Sequence, residues 1–308
     1  MKPVLVAGEI NADLIFAGCE GVPAFGREIL ATDFRQGPGS SSMICAMGLA
    51  RLGESVSFAG IAGQDSWGDY CVDALASCGI DTAAVRRDAS LRTGVTVALS
   101  AAHDRALVTF PGAIAALHAD AIDDALLARH GHLHVASYYL QDALRPGLPD
   151  LFARARALGL TVSLDPGFDP SRRWDVGVSD LLPLVDLFLP NAMEACAITG
   201  ADTPLRALTA LSNGHTRIVI KCGSDGCLSH DDDGQPVTVP AFPVEALDST
   251  GAGDSFDAGF LHAWRRGLAL PDCLRWGSVC GALSTRGIGG TAAQATADEV
   301  RRRLVHFA

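Results

Sequence analysis

Lysine is nearly absent from this 308-residue sequence, which contains only Lys2 and Lys221. No Gly-Lys-Ser or Gly-Lys-Thr sequence therefore occurs, and a Walker-type phosphate loop is excluded. Arginine supplies most of the positive charge, which is typical of a genome-wide preference for arginine over lysine. The scarcity of lysine thus excludes one class of nucleotide site without excluding nucleotides.

Paired cysteines and long apolar runs are also missing. The nine cysteines form no C-x-x-C pair, their number is odd, and most lie in apolar runs. They are therefore interpreted as small core residues of a protein from a reducing cytoplasm. The start, "MKPVLVAGEI", turns polar too soon for a signal peptide, and no apolar run approaches the ~18 residues of a membrane span.

Positive charge is in deficit, since the formal net charge is −11. This balance argues against nucleic acid or a membrane surface as the main partner. The nine histidines show no H-E-x-x-H or similar spacing, which disfavours a zinc site of that kind. The sequence also lacks G-x-G-x-x-G after its first apolar run and lacks G-x-S-x-G anywhere, which disfavours a dinucleotide fold and a serine hydrolase.

What the sequence does contain is an alternation of apolar runs with helical patterns. The runs are apolar on both faces, as in the buried strands of a parallel sheet. They occupy residues 3–8, 55–63, 132–137, 160–165, 187–191 and 217–223, with helices predicted at 40–52, 68–79, 121–129, 147–159, 193–199 and 203–212 and throughout most of the chain after 254. This pattern predicts an α/β sandwich with a largely parallel central sheet and helices on both faces.

Two segments, about 12–36 and 92–111, break the alternation with strand-like stretches near turns. They are typical of hairpins and predict a small β flap over one edge of the sheet, although surface decoration is the alternative. No internal repeat or linker is present, so we predict one domain, 1–308, that carries the flap. Because parallel sheets bind ligands beyond the carboxyl ends of their strands, polar residues just after strands are the candidates for chemistry.

The strongest candidate is "DSTGAGDSF", in which Gly251, Ala252 and Gly253 precede Asp254 at the start of an amphipathic helix. The first N–H groups of a helix lack internal partners and lie at the positive end of its dipole. Without bulky side chains they can bind an anion, such as a phosphoryl group in transfer. Asp254 would then accept a proton from an alcohol. The alternative is a plain helix cap after a glycine turn.

Two further motifs follow predicted strands. In "LFLPNAMEACAITG", Asn191 and Glu194 share the first turn of a helix, which suits either a hydrated magnesium ion or a capping box. In "IKCGSDGCL", Gly223 and Gly226 follow Lys221, which suits either a loop along a nucleotide or an ordinary hairpin turn.

The first strand is followed by "GEINAD", in which Asn11 and Asp13 can form paired hydrogen bonds with the hydroxyl groups of a polyol. An ordinary polar loop is the alternative. In "QGPGSSSMICAMGLARLG", Gly37 and Gly39 precede a serine run and a helix, and a helix cap is the simplest interpretation.

Taken in chain order, these motifs resemble the ribokinase-like (PfkB) carbohydrate kinase family over nearly the full chain. "DSTGAGDSFDAGF" is similar to the family's C-terminal signature, "PNAMEACAITG" to its N-x-x-E motif, and "GEINAD" to its substrate-binding loop. "AGQDSWGDYCVDALASCGIDT" also resembles a family segment. The resemblance implies a three-layer sandwich with a β lid and ATP-dependent transfer of the γ-phosphate to a hydroxyl of a sugar or sugar-like molecule. It also implies a homodimer formed through the lid.

The resemblance assigns roles position by position. Asp254 would be the catalytic base and Gly251–Gly253 the anion hole. The remaining assignments are Asn11, Asp13, Gly39 and Ser40 for the substrate; Asn191, Glu194, Lys221, Gly223 and Gly226 for ATP; Glu194 for Mg²⁺ through water; and Asp248 and Thr250 for the monovalent cation, often potassium, of some members.

The sequence departs from the family where the acceptor would bind. Ser40 replaces the second glycine of a usual glycine pair, Ile44 replaces an asparagine that contacts substrate, and Gly167 replaces another frequent asparagine. The phosphate side keeps its motifs, so phosphoryl transfer is expected and the acceptor stays open. A nucleoside kinase of the same fold, disfavoured by the aromatic content of 6%, and a non-catalytic small-molecule sensor are the alternatives.

Overall fold

The computed structural model describes residues 1–100, 105–174 and 177–307. These residues form thirteen strands and ten α-helices. The strands are β1 (Val4–Ala7), β2 (Asn11–Ala17), β3 (Asp33–Pro38), β4 (Val56–Gly63), β5 (Asp81–Asp88), β6 (Gly94–Ser100), β7 (Arg105–Phe110), β8 (His132–Val135), β9 (Thr161–Leu164), β10 (Leu187–Phe188), β11 (Arg217–Lys221), β12 (Cys227–His230) and β13 (Pro236–Val239). The helices are α1 (Ser41–Arg51), α2 (Ser66–Ser77), α3 (Asp124–Ala128), α4 (Leu148–Ala157), α5 (Val178–Leu181), α6 (Ala192–Thr199), α7 (Pro204–Leu211), α8 (Ala252–Arg265), α9 (Leu270–Ser284) and α10 (Ala297–Leu304).

The larger sheet has nine strands in the order β13-β12-β11-β10-β9-β8-β1-β4-β5. All neighbours from β11 to β5 are parallel, and only β12 and β13 are antiparallel. Successive residues of β1 face opposite cores: Val4 and Val6 pack with α1, α8 and α9, whereas Leu5 and Ala7 pack with α4, α6 and α7. Helices therefore cover both faces, and the predicted α/β sandwich is confirmed.

The smaller sheet has four strands in the order β3-β2-β6-β7. It contains the segments that the sequence marks as a flap, and β2 pairs with β6 in parallel across about eighty residues of chain, as in Asn11 with Gly94. Residues 101–104 of the second predicted segment lie outside the described residues. Because only Gly8–Ile10 separate β1 from β2, this sheet stands at the carboxyl edge of the larger one.

The sequence did not indicate β5 or β13. Strand β5, "DTAAVRRD", lies at the edge of the sheet and alternates between exposed and half-buried residues, so it lacks the apolar run of an inner strand. Within the ranges that the structure describes, no helix combines the length and the hydropathy needed to span a bilayer.

Candidate active site

Helix α8 begins with the backbone conformation that its glycine predicts. Gly251 precedes the helix with a left-handed φ of 70°, and its Cα is packed tightly. A Cβ atom at this position would lie 2.7 Å from the Cα of Gly290 and 3.0 Å from Cγ2 of Ile44. Only glycine fits both the dihedral angle and the space. The first turn, Ala252 to Asp254, therefore presents its amides without side chains in front of them.

A cavity of about 640 Å³ lies against this first turn, and both Ala252 and Gly253 line it. Its lining also includes the apolar residues Pro243, Val244 and Ala282. A concave, mostly apolar pocket that meets a helix N-terminus suits a ligand with a flat apolar end and an anionic end. A nucleotide has this shape and charge distribution.

The strand–loop motif after β11 lies on the same cavity. Lys221, Gly223 and Gly226 line it, as the nucleotide interpretation requires. The hairpin interpretation is also correct, because β11 and β12 pair with Lys221 opposite Cys227. The two readings are compatible, since one loop closes the hairpin and borders the cavity.

Lys221 is the centre of a buried charge cluster. Its Nζ lies 2.7 Å from Oδ2 of Asp165 and 3.0 and 3.1 Å from the carboxylate oxygens of Asp257. Burial alone would lower the pKa of Lys221, but the two carboxylates outweigh it and raise that pKa. Burial would raise the pKa of Asp165, but Lys221 holds it below its usual value. For Asp257, burial dominates and raises the pKa well above the usual range.

The N-x-x-E motif forms a capping box at the start of α6. The Oδ1 of Asn191 accepts a hydrogen bond of 2.9 Å from the amide of Glu194, and Oε2 of Glu194 accepts one of 2.8 Å in return. The backbone of Asn191 forms an isolated parallel β-bridge with that of Lys221, so both residues lie at the same edge of the sheet. Burial, aided by the charge of Asp165, raises the pKa of Glu194 to about 7. Neither Asn191 nor Glu194 lines the cavity, which leaves their ligand roles as predictions.

The polar residues after β1 are brought together at the junction of the two sheets. Nδ2 of Asn11 donates to Oδ1 of Asp13 at 2.7 Å and to Oγ1 of Thr96 at 3.1 Å. The backbone of Gly39 approaches both so closely that a Cβ atom would lie 2.1 Å from the Asp13 carboxylate. Asn11, Asp13 and Gly39 thus lie together in one buried polar group, and their binding of substrate stays a prediction.

The first turn of α1 connects this polar group with α8. Gly39 precedes it, and five residues later the buried side chain of Ile44 lies against Gly251 and Gly290. The predicted acceptor residues and the predicted anion hole are therefore neighbours across α1.

Residues 1–297 match the model of the pfkB family carbohydrate kinases. The chain belongs to this family. It is a carbohydrate kinase, and the fold and the enzyme class predicted from the sequence are confirmed.

Individual relatives agree with this assignment. An ATP-dependent ribose-1-phosphate kinase from Halopiger xanaduensis is 31% identical over 303 residues, which cover 97% of each chain. A ribokinase from Haemophilus influenzae is 28% identical and covers 99% of each chain. The structure of Arabidopsis thaliana ribokinase complexed with ribose and ATP is similar with a TM-score of 0.83, 23% identity and 98% coverage of each chain.

The carbohydrate kinase departs from its family at Ser40, and the structure shows where that side chain goes. Its hydroxyl donates to the carbonyl of Glu9 at 2.8 Å and accepts from the amide of Met43 at 3.1 Å. Ser40 has a φ of 64°, a conformation that favours glycine and so accounts for the glycine usual at this position. Ser40 thus caps α1, and its predicted contact with the substrate stays a prediction.

A buried carboxylate, Glu9, lies beside the predicted acceptor residues. Its oxygens accept from the hydroxyl and the amide of Ser42 at 2.5 and 3.3 Å, and Ser137 is a further partner. Burial raises the pKa of Glu9 to about 7. The sequence placed Glu9 in the motif but gave it no role, because an isolated carboxylate after a strand is uninformative.

The predicted cation residues brace the loop that leads into α8. One oxygen of the Asp248 carboxylate accepts from the amide and the hydroxyl of Thr250 at 2.9 and 2.7 Å. The other accepts from the amide of Gly289 at 2.8 Å. This network joins the loop to the Gly289–Gly290 segment that packs on Gly251.

Sequence reasoning missed Asp165 and Asp257 as parts of the site. They are 56 and 36 residues away from Lys221, so no motif spacing links them. One signal was available: Asp257 is a carboxylate inside the buried run Ser255–Ala263 of α8. A buried carboxylate on a helix indicates a charged partner.

Proposed function

We propose that this protein transfers the γ-phosphate of ATP to a hydroxyl of a ribose-like sugar, with Asp254 as the base and Gly251–Gly253 as the anion hole. The observation that carries the proposal is the first turn of α8. It holds Asp254, it is free of bulky side chains, and it lines the cavity that suits a nucleotide. Asn11 and Asp13 supply the polar surface for the acceptor on the other side of α1.

In the proposed reaction, Asp254 accepts the proton of the acceptor hydroxyl while the hydroxyl oxygen attacks the γ-phosphorus. The bond between that phosphorus and the bridging oxygen breaks, and ADP leaves with the electron pair. The amides of α8 stabilise the charge on the transferring group. Removal of a general base typically costs ~10²–10⁴ in rate.

Magnesium is proposed to enter with ATP near Glu194. The buried carboxyl group of Glu194 gives this edge of the sheet an oxygen ligand that suits a hydrated Mg²⁺. When bound, the ion would neutralise phosphate charge. Asn191 and Glu194 would orient the phosphates from the first turn of α6, while Gly223 and Gly226 border the nucleoside part. Asp248 and Thr250 are proposed to hold a potassium ion.

The acceptor is proposed from the relatives. Two of them are named for ribose or ribose-1-phosphate, and a structure of the same fold holds ribose and ATP. The smaller sheet is proposed to act as the lid over this acceptor. Its exposed apolar side chains favour pairing with the lid of a second copy and include Phe34, Leu107, Val108 and Phe110. The nine free thiols favour a reducing cytoplasm as the setting.

A nucleoside acceptor is the second candidate, because aromatic rings gather beside the acceptor side. Tyr138 contacts Tyr139, Tyr139 contacts Trp174 and Trp174 contacts Phe168, with ring centroids 5.1 to 5.7 Å apart. Tyr138 and Tyr139 follow directly on Ser137, the partner of Glu9. Phe168 is half exposed and could stack on a base.

The test is a screen for ADP release and for the phosphorylated product by ³¹P NMR. Ribose, ribose-1-phosphate, fructose and adenosine are supplied with Mg·ATP, with and without potassium. We expect turnover with a ribose-type sugar. Turnover with adenosine alone would show that the acceptor is a nucleoside and not a sugar. ADP release that no acceptor stimulates would contradict the proposal.

A further inference from the structure

Three separate parts of the fold meet at one ammonium group. Lys221 ends β11, Asp165 follows β9, and Asp257 lies one turn into α8. The side chains of all three are at most 10% exposed. The two ion pairs therefore connect α8 to two strands of the central sheet.

The position of this ammonium group relative to α8 is well defined. A Cβ atom placed on Gly253 would lie 3.5 Å from Nζ of Lys221, which is van der Waals distance. Lys221 and Gly253 also line the same cavity. The ammonium group thus lies directly beside the amides that form the proposed anion hole.

The charges of the cluster balance in a specific way. Burial keeps the pKa of Asp257 high, while Lys221 keeps the pKa of Asp165 low. A protonated Asp257 can accept from Lys221 and donate to Asp165, so one carboxylate neutralises one ammonium. The ammonium group bonds to both carboxyl groups, and the Lys221 side chain also lines the cavity.

We infer that Asp165 and Asp257 are positioning residues that hold the Lys221 ammonium against the γ-phosphoryl group, where it stabilises the transferred PO₃ together with the α8 amides. This inference rests on the proposed function and adds a fixed cation to it. The cation is preorganised because Lys221 and its two partners belong to three separate parts of the fold, and such charges act most strongly where charge develops during reaction.

The first test compares two nucleotides, so it needs no acceptor. Lys221→Met removes the charge and keeps the length of the side chain. We expect calorimetry to show about tenfold weaker binding of Mg·AMP-PNP and less than twofold weaker binding of Mg·ADP, because only the former has a γ-phosphate. Arg206→Met, which breaks the exposed ion pair with Asp202, is the control and should change neither affinity. Equal weakening of both nucleotides by Lys221→Met would overturn the inference.

Lys221→Met leaves buried carboxylates without a cation and can fail to fold. The double variant Asp165→Asn/Lys221→Met removes one negative and one positive charge together. We expect this variant to fold, to bind Mg·ADP as the wild type does, and to show about 10²-fold lower kcat with the acceptor found by screening. A kcat within threefold of wild type would contradict the inference.

Two variants of Asp257 provide a further test of the positioning role. Asp257→Asn keeps an acceptor for Lys221 and a donor for Asp165, whereas Asp257→Ala keeps neither. We expect kcat within about threefold of wild type for the first and about tenfold lower for the second, with KM for ATP changed less than twofold in both. Equal kcat values for the two variants would overturn the positioning role. A wild-type protein that binds neither nucleotide would instead contradict the proposed function.

Discussion

The proposed nucleotide and acceptor sides of Asp254 are built from different kinds of groups. On the nucleotide side, main-chain amides of α8 and a buried lysine lie beside an apolar cavity. On the acceptor side, hydrogen-bonded side chains lie on β2 and directly before α1. Main-chain groups are the same for every sequence that adopts the fold, whereas side-chain groups change with each substitution. The departures from the family accordingly lie on the acceptor side.

The largest effect is expected at the residue that both sides share. Asp254→Asn keeps the size of the side chain and removes its basicity, so kcat should fall by ~10²–10⁴ while Mg·ADP affinity stays within twofold. Steady-state kinetics and calorimetry measure the two quantities. Retention of a kcat within threefold of wild type would assign the proton transfer to another group.

Each side carries a buried carboxyl with a pKa of about 7, Glu9 on the acceptor side and Glu194 on the nucleotide side. In both the folded-state pKa exceeds the unfolded value of 4.5, so their contribution to stability is present below pH 4.5 and is lost as the pH rises through 7. From pH 5 to pH 8 each should lower the free energy of unfolding by about 3 kcal/mol at most.

Urea denaturation of Glu9→Gln and Glu194→Gln at the two pH values checks this expectation, since glutamine does not titrate. Between pH 5 and pH 8, the free energy of unfolding of each variant should therefore fall less than that of the wild type, by about 3 kcal/mol at most. A variant whose unfolding free energy falls as steeply as that of the wild type would show that its carboxyl is not held protonated.

Substrate affinity should separate the two sides. Asp13→Asn is expected to raise the acceptor KM about tenfold and to leave the KM for ATP within twofold, since it removes one charged hydrogen-bond partner. Ala282→Leu, which fills part of the cavity, should instead raise the KM for ATP about tenfold and leave the acceptor KM within twofold. If either variant changes both KM values equally, the two sides are not independent.

The smallest effect is expected for Ser40→Gly. Glycine relieves the positive φ but loses the side-chain cap, so the free energy of unfolding should rise by about 1 kcal/mol or less. The acceptor KM should stay within twofold, because the Ser40 hydroxyl is bonded to Glu9 and Met43. An acceptor KM more than threefold higher would place this hydroxyl on the substrate.

Most of the central sheet and helices could be predicted from the sequence, because buried parallel strands have a distinctive apolar pattern. Strand β5 could not, since an exposed edge strand has no such pattern. The pairing of β2 with β6 could not be derived either, because it depends on which sheet edge is left open by the rest of the fold.

The candidate site divides in the same way. The glycine turn before Asp254 and the helix that follows it were predictable because their pattern lies in adjacent residues. The partnership of Lys221 with Asp165 and Asp257 was not, because it is created only when three distant segments fold together. Likewise, the sequence shows that Ile44 is apolar, but only the structure shows that it packs against Gly251 and Gly290 at the start of α8.

The short joint between the two sheets has a mechanical consequence. Gly8–Ile10 lead into one strand of the smaller sheet, and Gly39 and Ser40 lead out of its neighbour. Any tilting of that sheet must therefore bend the chain next to Asn11 and Asp13. A sugar held by these two residues would lie at the hinge between the two sheets. Its binding and the tilt of the smaller sheet would therefore be coupled.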